Sequence, residues 1–321
     1  MKIFVTGGAG YIGSHIVYEL CDAGHEVTIF DDLSLGREEN IDKRAKFILG
    51  STLDNQQLNK TLNDIGFDAV IHLAAWKAAR ESMEKPEKYA VNNIVGSMNL
   101  LNAVADASIK NFVFSSTAAV YGSPSCLPID EKHPINPANY YGYTKVFVED
   151  NLRWYSQLKG LNYAVLRYFN AAGYDMQGRI RGKEKNPNNL LPIIMETACG
   201  MRNKVQVYGN DYDTIDGTGV RDYIHVNDLA TAHVLALNYL NDKKKNLIVN
   251  LSTERGYSVL EAITKAKEIT GKDIPYQIVG RRYGDPDTVV ASFAKANKIL
   301  NWKAKYSNLE TILSTMWNIY K

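Results

Sequence analysis

The chain has 321 residues, 45% of them hydrophobic and 22% charged, which is enough for one large or two ordinary domains with a sizeable core. Its formal net charge of +2 offers no field for gripping nucleic acid or an anionic membrane. The three cysteines, Cys21, Cys126 and Cys199, are odd in number and widely spaced; they fit no metal-ligand pattern and suit reduced thiols in a cytoplasmic protein. No apolar run approaches the roughly 18 residues of a membrane span, and no signal peptide is expected ahead of the first strand.

Residues 3–5 are a short apolar, β-rich run. Gly7-Gly8-Ala9-Gly10-Tyr11-Ile12-Gly13 follows, then an amphipathic helix to about residue 23, then a second strand at 26–30 ended by Asp31 and Asp32. Strand, glycine turn, helix, strand and acid in this order form the dinucleotide-binding arrangement. Gly7, Gly10 and Gly13 let backbone N–H groups approach a pyrophosphate, and the helix N-terminus favours its charge. Asp31, 18 residues past Gly13, stands near the spacing of an acid that binds the adenosine ribose 2′-hydroxyl. A carboxylate there repels a 2′-phosphate, so NAD is expected rather than NADP.

The alternation continues. Strands are expected at 45–49, 69–73, 111–115 and 162–168, and helices at 55–65, 86–107 and 140–159. This pattern predicts a parallel sheet covered on both faces, with ligands gathered at the carboxyl ends of the strands. The residues following those strands are small or polar: Ala74-Ala75-Trp76-Lys77, Ser116-Thr117-Ala118 and Asn170-Ala171. Hydroxyls such as Ser116 and Thr117 commonly serve turns and caps. Tyr141 and Lys145 shift the balance. Four residues apart on a helix, they share one face. A free tyrosine, with a pKa of about 10, is a poor base at neutral pH, and a neighbouring cation favours its phenolate. The pair suits acid/base chemistry on a hydroxyl group.

Together these features resemble the extended short-chain dehydrogenase/reductases over nearly the whole chain and, within them, the 4-epimerases of UDP-hexoses. Further segments carry that resemblance: 114–122 around Ser116 and Thr117, Tyr168-Phe169-Asn170, Pro187-Asn188-Asn189-Leu190, and the long stretch 216–226 from Asp216 to Val226. The fold implied is α/β, a Rossmann-like doubly wound parallel sheet with a smaller α/β substrate-binding domain. The expected boundaries are 1–170 for the NAD-binding domain, rejoined by about 222–247, and 171–321 for a discontinuous UDP-sugar domain. The activity implied is interconversion of UDP-glucose and UDP-galactose on a retained NAD. Tyr141 would take the proton from the sugar 4′-hydroxyl as hydride leaves C4′, and return it after the 4-keto sugar has presented its other face. Thr117 would hold the 4′-oxygen, and Lys145 the nicotinamide ribose. Tyr140 and Tyr143 are expected to be packing or rim residues.

The same resemblance implies cofactor roles for Gly7, Gly10, Tyr11, Ile12, Gly13, Asp31, Asp32, Lys77, Asn93, Ser116 and Tyr168, besides Tyr141 and Lys145. For the substrate it implies Arg221, Arg282 and Asn189 on the diphosphate, with Leu190 beside them. Tyr208 would lie against the uracil, Asp285 on its ribose and Asn170 at the phosphate–sugar end. Two guanidiniums suit a diphosphate, because each can bind bidentately. The segment 178–189 is rich in Arg, Lys, Gly and Asn and reads as a loop. Many relatives carry serine at the position of Thr117, which keeps the hydroxyl. Most carry aspartate at the adenine where this chain has Ser51. Val289 stands where some relatives close the sugar pocket with tyrosine, so N-acetylhexosamine substrates are also expected. No metal is expected, and a homodimer through the helices at 86–107 and 140–159 is. A sugar dehydratase would need an acid and a base after Thr117, where Ala118 and Ala119 stand. A UDP-glucuronate epimerase and a catalytically silent NAD-binding regulator remain as alternatives.

Overall fold

The structure, a computed structural model, describes residues 1–185, 187–282 and 284–321. The chain separates into two compact units: Met1–Gly122, Pro134–Arg167 and Ala230–Val249 in the first, and Ser123–His133, Tyr168–Leu229 and Asn250–Lys321 in the second. The return to the first unit therefore begins at Ala230, not near residue 222, because the strand Val220–His225 belongs to a small sheet of the second unit.

The first unit is organised by a seven-stranded sheet. Its order is Leu247–Leu251, Asn162–Tyr168, Asn111–Thr117, Ala69–His72, Lys2–Thr6, Glu26–Asp31 and Lys46–Leu49. The pairings among the first five strands in sequence are all parallel. Ile3, Phe4, Val5, Ala69, Val70 and Ile71 have no exposed surface, as strands covered on both faces require. The helices Asn55–Ile65, Gly96–Asp106 and Tyr140–Lys159 cover one face through Leu58, Leu62, Leu100, Val104, Val148 and Leu152. Leu58 and Leu62, like Val148 and Leu152, are four apart and so point the same way. Leu152 thus serves the sheet.

Two expected elements differ in detail. The strand expected at 111–115 runs on to Thr117, so Ser116 and Thr117 are its last residues. The helix expected at 86–107 is Pro86–Tyr89, a π-helical turn at Ala90–Val95, then Gly96–Asp106. The wide turn holds Asn93, whose side-chain bonds described below favour the local rearrangement.

In the second unit Val220–His225 is the hub. Gly256–Ser258 and Thr288–Val289 flank it, and Asn170–Ala172 also pairs with it. Val205–Tyr208 and Tyr276–Val279 form a separate parallel pair. The segment 178–189 has no regular structure among its described residues.

Candidate functional site

The glycine turn is shaped by how closely backbone approaches backbone. Gly7 has φ +74°, and a Cβ there would lie 2.6 Å from the amide nitrogen of Ala74. A Cβ on Gly13 would lie 2.0 Å from the Gly7 carbonyl oxygen. Gly10 precedes the helix Tyr11–Asp22, and among the described residues no side chain caps that end and no acid occupies its first turn. Tyr11, Ile12 and Gly13 therefore begin a helix whose first N–H groups and positive dipole end suit an anion. Asp31 is buried beside them; its carboxylate accepts from Ala9 N at 3.0 Å and Leu33 N at 2.8 Å. Asp32 is exposed and accepts from Ser34 N. An uncapped helix start, a glycine turn without room for side chains and a buried acid next to it fit a dinucleotide. These same residues would hold NAD. The Ser51 hydroxyl accepts from Leu53 N at 3.3 Å, while Asp54 caps the next helix through Gln57 N.

The helix Tyr140–Lys159 starts against the end of the strand Asn111–Thr117. Asn139 caps it by accepting from Gly142 N at 2.9 Å. A Cβ on Gly142 would lie 2.6 Å from the Ala119 carbonyl oxygen, so only glycine lets the first turn approach this closely. Ser82 Oγ accepts from Tyr141 N, and the Tyr141 carbonyl accepts from Thr144 Oγ1. Thr117 Oγ1 accepts from Ala119 N at 3.1 Å, which leaves its proton for a second partner. The capping role open to Thr117 in sequence is thus present, and compatible with donation to a ligand. Tyr140 and Tyr143 stack at 5.7 Å, and Tyr143 is exposed.

Lys145 is 5% exposed, and its Nζ donates to the Ser115 carbonyl at 2.9 Å. Nζ lies 5.9 Å from the centroid of the Tyr141 ring. Burial pulls the Lys145 pKa down to about 7, against the charge of Glu149, which raises it. The ammonium is therefore a conditional charge near neutrality. Glu149 follows Lys145 by one helical turn and is itself buried. It accepts from Ser116 Oγ at 2.6 Å and from Arg167 Nε at 3.1 Å, and Arg167 Nη1 donates to Tyr121 Oη at 2.9 Å. The hydroxyl proton of Ser116 therefore goes to Glu149.

Asn93 carries a further set of bonds. Its Oδ1 accepts from Trp76 N, and its Nδ2 donates to Trp76 O and to Thr144 Oγ1. Both amide protons are engaged, so Asn93 fastens the segment before Lys77 to the helix of Tyr141. Behind it, His72 lies between Thr6 Oγ1 at 2.7 Å and Ser97 Oγ at 2.8 Å. Ser97 donates to Asn93 O, so it accepts from His72 Nε2–H, and Thr6 donates to Nδ1. Burial first, then the Lys145 charge, lowers the His72 pKa to about 3 and keeps the ring neutral. Lys77 is exposed, with Nζ 5.9 Å from the Tyr11 ring centroid. Tyr168 ends the strand Asn162–Tyr168.

In the second unit, Asn170 donates to the Asp222 carbonyl at 3.0 Å. Arg221 lies on the hub strand with Val289 directly beside it, and its Nη1 donates to Val220 O and Asp287 O. Arg282 stacks 3.7 Å above the Tyr208 ring, and Tyr208 Oη donates to Gln206. Asp285 N donates to Arg282 O at 3.3 Å. Asn189 precedes the helix Leu190–Ala198 without capping it through its side chain.

Sequence reasoning missed Glu149, Arg167, Tyr121, His72 and Gly142. Two signals were present: Glu149 lies four residues after Lys145, and Arg167 interrupts an otherwise apolar strand.

Residues 3–252 match the model of the NAD dependent epimerase/dehydratase family, and the chain belongs to that family. A relative named UDP-glucose 4-epimerase, from Lactobacillus helveticus, is 45% identical over 321 residues, covering 100% of this chain and 97% of the relative. Among solved structures, UDP-glucose 4-epimerase from Brucella ovis in complex with NAD superposes with a TM-score of 0.97 at 41% identity, over 99% of this chain and 98% of that one. The Bifidobacterium longum enzyme in complex with NAD+ and UDP does so with a TM-score of 0.93 at 38% identity, over 99% and 98%.

Proposed function

We propose that this chain interconverts UDP-glucose and UDP-galactose by oxidising and re-reducing C4′ of the sugar on a retained NAD. The observation that carries the reading is the helix start at Tyr141–Lys145, brought against the Ala119 backbone, two residues past Thr117, by the side-chain-free Gly142. Bound NAD supplies a reversible hydride acceptor, so no external reductant is consumed. Tyr141 removes the 4′-hydroxyl proton and later returns it. Thr117 donates to the 4′-oxygen and fixes its position. Lys145, when charged, favours the Tyr141 phenolate. Gly7, Gly10, Tyr11, Ile12 and Gly13 hold the pyrophosphate. Asp31 binds the adenosine ribose, and Asp32, Lys77, Asn93, Ser116 and Tyr168 complete the cofactor pocket. Arg221, Arg282 and Asn189 bind the diphosphate, with Leu190 beside them. Tyr208 and Asp285 recognise uridine, and Asn170 the sugar end.

Val289 leaves more room than tyrosine would beside Arg221, which favours N-acetylhexosamine substrates as well. A homodimer accounts for Val91, Val95, Trp154 and Leu158, four exposed apolar residues on the helical segments 90–95 and 140–159; a monomer mass in sedimentation equilibrium would remove it.

The purified protein is given UDP-galactose without added NAD, and UDP-glucose is followed. Product is expected. Product only on adding NAD would keep the chemistry and place the fault at Ser51. No product in either case would overturn the reading. UDP-N-acetylglucosamine in the same assay tests Val289: good turnover of UDP-galactose with none of the acetylated sugar would remove the wider specificity.

A further inference from the structure

The second unit contains an open pocket of about 210 Å³ that no role above uses. Its lining includes Arg255, Lys303 and Lys305 and not one carboxylate. These three side chains are exposed and make no ion pair among the described residues, whereas Lys265, Lys267 and Arg281 of the same unit each have one. Arg255 is held over the Tyr257 ring at 4.7 Å, which limits its swing.

Three hydroxyls of the remaining lining direct their protons inward. Ser252 and Thr253 donate to the buried Asp222 carboxylate, and Ser307 donates to Asp228. Asp228 also accepts from Lys305 N and Tyr306 N, which fixes the segment carrying two of the cations. The two buried carboxylates are thus satisfied by backbone and hydroxyl donors, and the three cations are left facing solvent around one cavity. The helix Leu309–Tyr320 begins at the same wall, where Asn308 caps it through Thr311 N. Glu310, in its first turn, offsets the positive dipole end, so the field of the pocket is that of the three cations.

We propose that this pocket binds the phosphate group of a small phosphorylated metabolite, held by Arg255, Lys303 and Lys305. A phosphomonoester carries about −1.5 to −2 charge at pH 7 and three acceptor oxygens, which matches three donors of one sign. Arg255 offers a planar fork for two of those oxygens, and the lysines act as point charges. A monocarboxylate would leave at least one cation unmatched.

The test uses the whole protein, with its nucleotide-sugar site saturated by UDP, and inorganic phosphate as the probe. Binding is read by 31P line broadening at constant ionic strength, with chloride as the balancing anion. Turnover is not the readout, so failure here is distinct from failure of the epimerase reading. Saturable binding of one phosphate is expected. Each cation removed should weaken it about fivefold, the effect of one contact charge in water. The variant Arg255→Ala/Lys303→Ala/Lys305→Ala should therefore lose measurable binding while still binding UDP, and Lys303→Arg/Lys305→Arg should retain it. Unsaturable broadening in the wild type, or equal binding by the triple alanine variant, would overturn the proposal.

Discussion

The end of the strand Asn111–Thr117 and the loops around Arg282 handle polar groups in opposite ways. In the first, Ser116, Lys145, Glu149 and Arg167 are all 5% exposed or less, and each is tied to a named partner. In the second, Arg282 is exposed and rests on the Tyr208 ring, with Arg281 paired to Asp211 nearby. Buried and fully bonded groups hold a geometry and shift each other's pKa values. Exposed cations interact in high dielectric and are screened by salt. The difference separates two tasks. On the proposed function, moving a proton and a hydride needs fixed atoms, whereas gripping a diphosphate needs charge that water can still reach until substrate arrives.

The comparison predicts that substitutions in the first region act on kcat and those in the second on KM. Tyr141→Phe should have the largest effect, lowering kcat by about 10²–10⁴-fold, the usual contribution of a positioned acid/base. NAD content should be unchanged, since the ring is kept. Turnover within a few-fold of wild type would remove Tyr141 from the mechanism. Gly142→Ala comes next. The new methyl would meet the Ala119 carbonyl at 2.6 Å, and the helix carrying Tyr141 would have to retreat from the Ala119 backbone. A displacement of this size costs about 10²-fold in rate, with a lower melting temperature. Wild-type kcat for this variant would show that the helix start tolerates movement.

The second region should respond differently. Arg282→Ala should raise KM for UDP-galactose about tenfold with little change in kcat, because a bond to a charged group contributes about 1.5–3 kcal/mol. The effect should shrink as salt rises. A fall in kcat at constant KM would place Arg282 with the chemistry and break the division.

What was legible in the sequence follows the same division of scale. Local signals survived folding: the spacing of Gly7, Gly10 and Gly13, the helix at Asn55–Ile65, the shared face of Tyr141 and Lys145, and the strand–helix alternation of a doubly wound sheet. Signals that arise between distant segments were not legible. Asn93 was expected at the cofactor, but nothing local announces its bonds to Trp76 and Thr144, 17 and 51 residues away. The π-helical turn that presents it interrupts a stretch whose composition reads as plain helix. Glu149 and Arg167 lie 18 residues apart on a helix and a strand, and only the packed sheet makes them a pair. The same holds for Lys145. Its spacing from Tyr141 marked it as a cation, but its lowered pKa is a property of burial, which no motif records.

The lowered pKa of Lys145 gives the smallest effect and the sharpest discrimination. In the proposed mechanism Lys145 favours the Tyr141 phenolate only while it is protonated, and protonation holds below its pKa. Burial depresses that pKa to about 7, and Glu149 holds it up. Glu149→Gln keeps an acceptor for Ser116 and Arg167 but removes the negative charge. The Arg167 charge is then unopposed, and the Lys145 pKa falls further. The alkaline limb of the kcat–pH profile should move towards acid by about one unit, since a single nearby charge shifts a buried group by about that much. Activity at the acid end, where Lys145 stays charged, should change least. A purely structural role for Glu149 would instead lower kcat evenly across the profile. An unmoved limb would mean that Lys145 is not the group that titrates there, and that its part in the site is to hold the cofactor alone.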